Sequence, residues 1–99
     1  MTDAEQIDTA VPATLALDAA YPHPFATSTT LEYALPQATD VTLTVYDLLG
    51  RQVATLVDAP QTPGRYAVSF DAAGLSSVSY VVRLAAGDSV ETTRLTITR

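Results

Sequence analysis

The chain has 99 residues, 47% of them hydrophobic, and 11 Asp and Glu against 5 Arg give a net charge of -6. That length suits one core and no second domain. The acidic balance excludes nucleic acid as a partner, because phosphate binding needs clustered cations. Cysteine, lysine and asparagine are absent. Disulfides, thiolate chemistry, Lys-Asn isopeptide staples and Asn-linked glycans are thereby excluded, and packing and the hydrogen-bond ladder must stabilise the fold. The longest apolar stretches, such as Tyr80 to Ala86, fall far short of the roughly 20 residues of a transmembrane span. The opening MTDAEQIDTA lacks the basic region and apolar core of a signal peptide, and Met1 reads as the start of an excised fragment.

In chain order, residues 1–13 are acidic, Ala-rich and interrupted by Pro12, with no strand or helix period, and read as a flexible linker. The domain is expected over 14–99. Leu15 and Leu17 begin an alternation that marks a short first strand. Pro22 and Pro24 then withhold backbone donors, so the segment Tyr21 to Phe25 is expected to cross the end of the fold rather than join a central strand. Leu31, Tyr33 and Leu35 alternate with Thr30, Glu32 and Ala34. Val41, Leu43 and Val45 alternate with Thr42, Thr44 and Tyr46, each run showing the period of two that a half-buried strand requires. Gly50 suits the positive φ of a hairpin, and Gln52 to Val57 returns with Val53 and Leu56 inward across a bulge. Asp58 to Gly64 reads as a loop, with Pro63-Gly64 as the centre of a type II turn. Tyr66, Val68 and Phe70 mark the next strand, Asp71 to Ser77 a crossover with Leu75 plugging the core, and Tyr80, Val82 and Leu84 the sixth alternation. A tight hairpin at Ala86 to Ser89 leads into a last strand over Val90 to Thr98. Seven such segments with no helical period predict an all-β, seven-stranded antiparallel immunoglobulin-like β-sandwich.

Catalytic chemistry finds little support. The only His, His23, sits between two prolines with nothing to orient it, which excludes a nucleophilic triad, and one His cannot supply a zinc site. Asp40, Asp47, Asp58, Asp71 and Asp88 fall at strand ends, where calcium is conceivable. No Asp-x-Asp loop is present, however, and Asp is expected at turns because its side chain bonds nearby amides. No cofactor is expected. There is no Trp for a carbohydrate platform, and Tyr33, Tyr66, Phe70 and Tyr80 alternate inward as core, with Tyr46 outward. Arg83, Arg94 and Arg99 gather in the last two strands, where they serve either edge protection with cross-strand pairing to Glu91 or recognition by a partner.

Several motifs together resemble one family. These are Tyr21-Pro22-His23-Pro24-Phe25, Leu35-Pro36, Val45-Tyr46-Asp47, Gly50-Arg51 with Val53, Pro63-Gly64 with Tyr66, and the Tyr80 strand. Over residues 15–99 they resemble the C-terminal sorting domain of the type IX secretion system (the Por secretion system type A sorting domain). His23 stands where that family usually has Asn, and Val78-Ser79 where it has Gly-Val. Arg99 stands alone where two Lys are common. A lesser likeness, to the immunoglobulin-like domain of flagellar hook-capping proteins, is confined to residues 41–56.

The resemblance implies a noncatalytic signal that directs an upstream cargo domain through the outer-membrane type IX translocon. It implies translocon components and a sortase-like cysteine peptidase as partners, cleavage in the linker before residue 14, and attachment of cargo to the surface. The location implied is the periplasm in transit, then the outer-membrane surface or the exterior. By the same resemblance the C-terminal strand carries recognition, with Arg83, Thr93, Arg94, Leu95, Ile97 and Arg99 as candidate residues. A competing class is an immunoglobulin-like spacer or binding module of a secreted multidomain enzyme, which unlike a sorting signal need not end its parent chain.

Overall fold

A computed structural model describes residues 5–8, 10–18, 20–21, 27–72 and 79–97. Among them are eight strands and no helix: β1 Glu5–Asp8, β2 Ala16–Leu17, β3 Ser28–Leu35, β4 Thr39–Asp47, β5 Gln52–Gln61, β6 Gly64–Asp71, β7 Ser79–Ala86 and β8 Ser89–Thr96. They form two four-stranded sheets, ordered β1-β6-β3-β2 and β5-β4-β7-β8, with every pairing antiparallel. The all-β expectation holds and the count of seven is corrected to eight.

The added strand is β1, inside the stretch expected to be linker. It pairs Glu5 with Ala67 and Gln6 with Tyr66, then slips through an irregularity before Asp8 meets Arg65. Gln6 also donates a side-chain hydrogen bond to the Pro63 carbonyl at 3.0 Å. Neither Gln6 nor Ile7 is buried, so no alternation marks the segment in sequence. A strand held mainly through its backbone leaves no hydrophobic period.

The period-two readings of β3, β4, β6 and β7 are borne out. Leu31, Tyr33 and Leu35 of β3 and Tyr66, Val68 and Phe70 of β6 face Val41, Leu43 and Val45 of β4 and Tyr80, Val82 and Leu84 of β7 in a single core cluster. Fully burying each such aliphatic or aromatic side chain contributes about 1.5–3 kcal/mol before conformational entropy is subtracted. Tyr33 and Tyr66, paired in register, stack at 5.3 Å with ring planes 13° apart. Their hydroxyls reach the rim, Tyr33 to the Gln61 side chain and Tyr66 to the Thr62 carbonyl at 2.7 Å. Burial pushes the Tyr33 hydroxyl well above the ordinary tyrosine range.

Two further expectations are corrected. Asp58 to Gln61 is strand rather than loop, for β5 runs through Pro60 opposite Asp40. β5 is an outer strand of its sheet, which is where a proline costs no ladder bond. Gly64 does have positive φ, but at 146° and as the first residue of β6, opposite Leu35. That is the extended mirror-image region open essentially to glycine alone, not the φ near +80° of a type II turn. The suspected β5 bulge is real and double, with register shifts opposite Leu43/Thr44 and Val45/Tyr46. The shifts let Leu56 reach the core, with Val53 half-buried against it. Leu75 lies outside the described residues.

Candidate recognition surface

The β4–β5 turn is organised by one carboxylate. Asp47 ends β4 almost buried, and its Oδ1 accepts the backbone N–H groups of Leu49 and Arg51, each at 2.9 Å, while Oδ2 accepts Arg51 Nε at 2.8 Å. The main chain closes beneath it, with Asp47 N donating to the Arg51 carbonyl at 2.9 Å and Gly50 N to the Asp47 carbonyl at 3.1 Å. Gly50 turns the chain at φ +86°, and a Cβ there would meet nothing within 4 Å, so backbone strain alone selects glycine. The Arg51 N–H holds the Asp47 carboxyl below its ordinary range. Desolvation opposes it, and the Arg51 guanidinium and the Leu49 N–H add to it. The turn lifts Leu48 and Leu49 into solvent, 61% and 79% exposed.

A second polar cluster fixes the chain where it enters β3. Asp18 N donates to the Glu32 carbonyl at 2.9 Å, and Tyr21 bridges Thr30 through both backbone groups. Tyr21 also donates its hydroxyl to Glu32, which raises the Tyr21 pKa. Arg65 of β6 binds Asp18 at 2.8 Å and lies 3.7 Å from Glu32.

The candidate recognition residues divide by face. Leu95 lies opposite Tyr80, and with Ile97 it is buried in the core. Thr93 is half-buried opposite Val82. Arg94 lies opposite Val81 and Arg83 opposite Thr92, both exposed on the outer face of the β5-β4-β7-β8 sheet. Glu91 is opposite the buried Leu84, on the other face from both arginines, so the expected cross-strand pairing is corrected by register. Among the described residues neither Arg83 nor Arg94 has an ion-pair partner. β8 is the last strand of its sheet, paired with β7 among the described residues, and the short β2 of the other sheet lies close to it. Arg99, Pro22, Pro24 and Phe25 lie outside the described residues.

Beneath the same face sits Thr44, buried, its Oγ1 without a hydrogen-bond partner. No three His, Cys, Asp or Glu side chains gather as a metal-ligand set among the described residues.

A family profile described as a secretion system C-terminal sorting domain matches residues 19–98. The chain belongs to that family, the C-terminal sorting domains of type IX secretion. No curated protein and no solved structure matches the chain. As a sorting domain it acts with the type IX secretion machinery in export to the cell surface or the extracellular space.

Among the described residues, four of the motif positions have a plain role in the fold. Arg51 completes the Asp47 turn, Gly64 starts β6 at a φ of 146°, which favours glycine, and Tyr66 and Tyr80 fill the core. Sequence reading missed the Asp18–Arg65 pair and the lone Thr44 hydroxyl. Neither has a local signal, since each depends on which strands become neighbours.

Proposed function

We propose that the type IX translocon reads this domain through the open edge of β8 and the arginine-bearing face beside it. The observation that carries the reading is the pair Arg83 and Arg94, exposed and without ion-pair partners among the described residues, in a chain of net charge -6. An outer strand offers a row of backbone donors and acceptors, and exposed side chains next to it select the partner that adds to that row. Leu95 and Ile97 act from within, by holding β8 against the core. The domain is substrate rather than enzyme, and an upstream cargo follows it through the outer membrane.

The sheet order supports an immunoglobulin-like reading. Strands β2, β3 and β6 take the places of A, B and E, and β5, β4, β7 and β8 those of C′, C, F and G, with β1 added beside β6. Cleavage by a sortase-like cysteine peptidase then falls between β1 and β2, where Ala10, Val11, Ala13 and Thr14 are exposed, and releases cargo for attachment at the surface. The test is a reporter fused upstream and followed in a cell with a type IX system. The parent fusion reaches the surface, while Arg83→Glu with Arg94→Glu accumulates in the periplasm as folded protein. Normal export of that variant overturns the reading and favours a spacer module.

A further inference from the structure

The outer face of the β5-β4-β7-β8 sheet is segregated by charge. Val41, Leu43 and Val45 point into the core, so Asp40, Thr42, Thr44 and Tyr46 point out. Register places Asp58 beside Thr42, Arg83 beside Thr44, and Arg94 beside Val81, which itself lies opposite Tyr46. The acids therefore occupy the β5/β4 corner at one end of the strands. The arginines occupy the β7/β8 corner at the other. All four are exposed, and none has an ion-pair partner among the described residues. Between the corners lie Thr42, half-buried, and Thr44, buried, with half-buried Ala85 and Val90, 46% exposed, to one side and half-buried Tyr46 and Val81 at the arginine end.

With strands about 4.8 Å apart and a rise of about 3.3 Å per residue, the midpoints of the acidic and basic pairs lie about 16 Å apart, on a line oblique to the strands. A two-fold axis in the plane of the face and perpendicular to that line brings Asp40 of one copy to within about 5 Å, in projection, of Arg94 of the other. It brings Asp58 equally close to Arg83. An arginine side chain spans that offset, and the symmetry makes every contact twice, four charge pairs in all. The face complements itself.

We infer that a second copy of this chain docks on this face, forming a two-fold dimer in which Asp40 and Asp58 meet Arg94 and Arg83 across a centre of small side chains, Thr42, Thr44 and Ala85. Four strands of about eight residues present about 500 Å² per copy, below the 800 Å² or so of a standard stable interface, so the dimer is weak and concentration-dependent. The inference stands on the face's own chemistry and does not depend on the sorting reading. It adds a consequence to that reading, because a face covered by a second copy cannot also meet the translocon.

Sedimentation of the full chain from about 10 μM to 1 mM tests the inference, a range chosen for interfaces of this size. The parent is expected to pass from monomer to dimer. Arg83→Asp with Arg94→Asp, and separately Asp40→Arg with Asp58→Arg, each weaken association about tenfold or more by placing like charges opposite each other. Mixing the two variants restores a heterodimer. A parent that stays monomeric throughout overturns the inference, as does a mixture that stays monomeric while the parent dimerises. The neutral pairs, Arg83→Gln with Arg94→Gln and Asp40→Asn with Asp58→Asn, serve if a reversal variant does not fold. They are expected to weaken association individually, and parent-like dimerisation of both overturns the inference.

Discussion

Leu95 and Arg94 are neighbours in β8 that face opposite ways, and substituting each in turn tests the register on which the functional reading depends. Leu95 has no exposed surface and packs opposite Tyr80. Leu95→Ala removes three buried carbons and leaves a cavity between the sheets, at a cost of about 2–5 kcal/mol. A domain of this length has about 5–15 kcal/mol in all. A loss near 3 kcal/mol lowers the melting temperature by about 12–24 °C, at about 4–8 °C per kcal/mol. Arg94→Glu, at an exposed site without an ion-pair partner among the described residues, shifts stability by about 0.5 kcal/mol or less. Thermal melts followed by circular dichroism and urea titrations give both values, with the urea midpoint falling and its slope unchanged for Leu95→Ala. If Arg94→Glu proves the costlier change, or Leu95→Ala costs under about 1 kcal/mol, β8 sits one residue out of the described register and the arginines are not on the outer face.

Thr44→Val replaces a buried hydroxyl that has no partner with a methyl of the same shape, and is expected to stabilise by about 1 kcal/mol. A lower urea midpoint would show that the hydroxyl is satisfied in solution. Gly64→Val forces a β-branched residue to φ 146° and costs about 1–3 kcal/mol; unchanged melting refutes that backbone geometry. The Asp47 carboxyl is held below its ordinary pKa, so its contribution to stability is present above the unfolded value of about 3.9 and is lost as pH falls through the lower folded value. The advantage of the parent over Asp47→Asn in urea midpoint is therefore constant near neutrality and shrinks below about pH 4. A gap that stays constant down to pH 2 would contradict the Asp47 turn.

Most of the fold was legible because each core strand buries one face, and burial writes itself into sequence as alternation. Leu31-Tyr33-Leu35, Val41-Leu43-Val45 and Tyr80-Val82-Leu84 follow that rule and lie where it put them. β1 did not, since its residues are held by backbone pairing and leave no apolar period. Pro60 argued for a loop, because a proline is excluded from a central strand, whereas the outer position of β5 depends on the whole topology. The recognition surface was legible in composition and not in geometry. Arg83 and Arg94 stood out as cations in an acidic chain, but register alone separates them from Glu91 and assigns Leu95 and Ile97 to the core.

The proposed recognition requires that the sorting machinery touch the outer face beside β8. A photo-crosslinking amino acid placed at Thr92, exposed on the same face of β8 opposite Arg83, and followed in an exporting cell puts this to the test, with Ala67 on the other sheet as the comparison site. Crosslinks to outer-membrane translocon components from position 92, and none from position 67, are the predicted result. Equal labelling from the two positions, or labelling from 67 alone, contradicts the account.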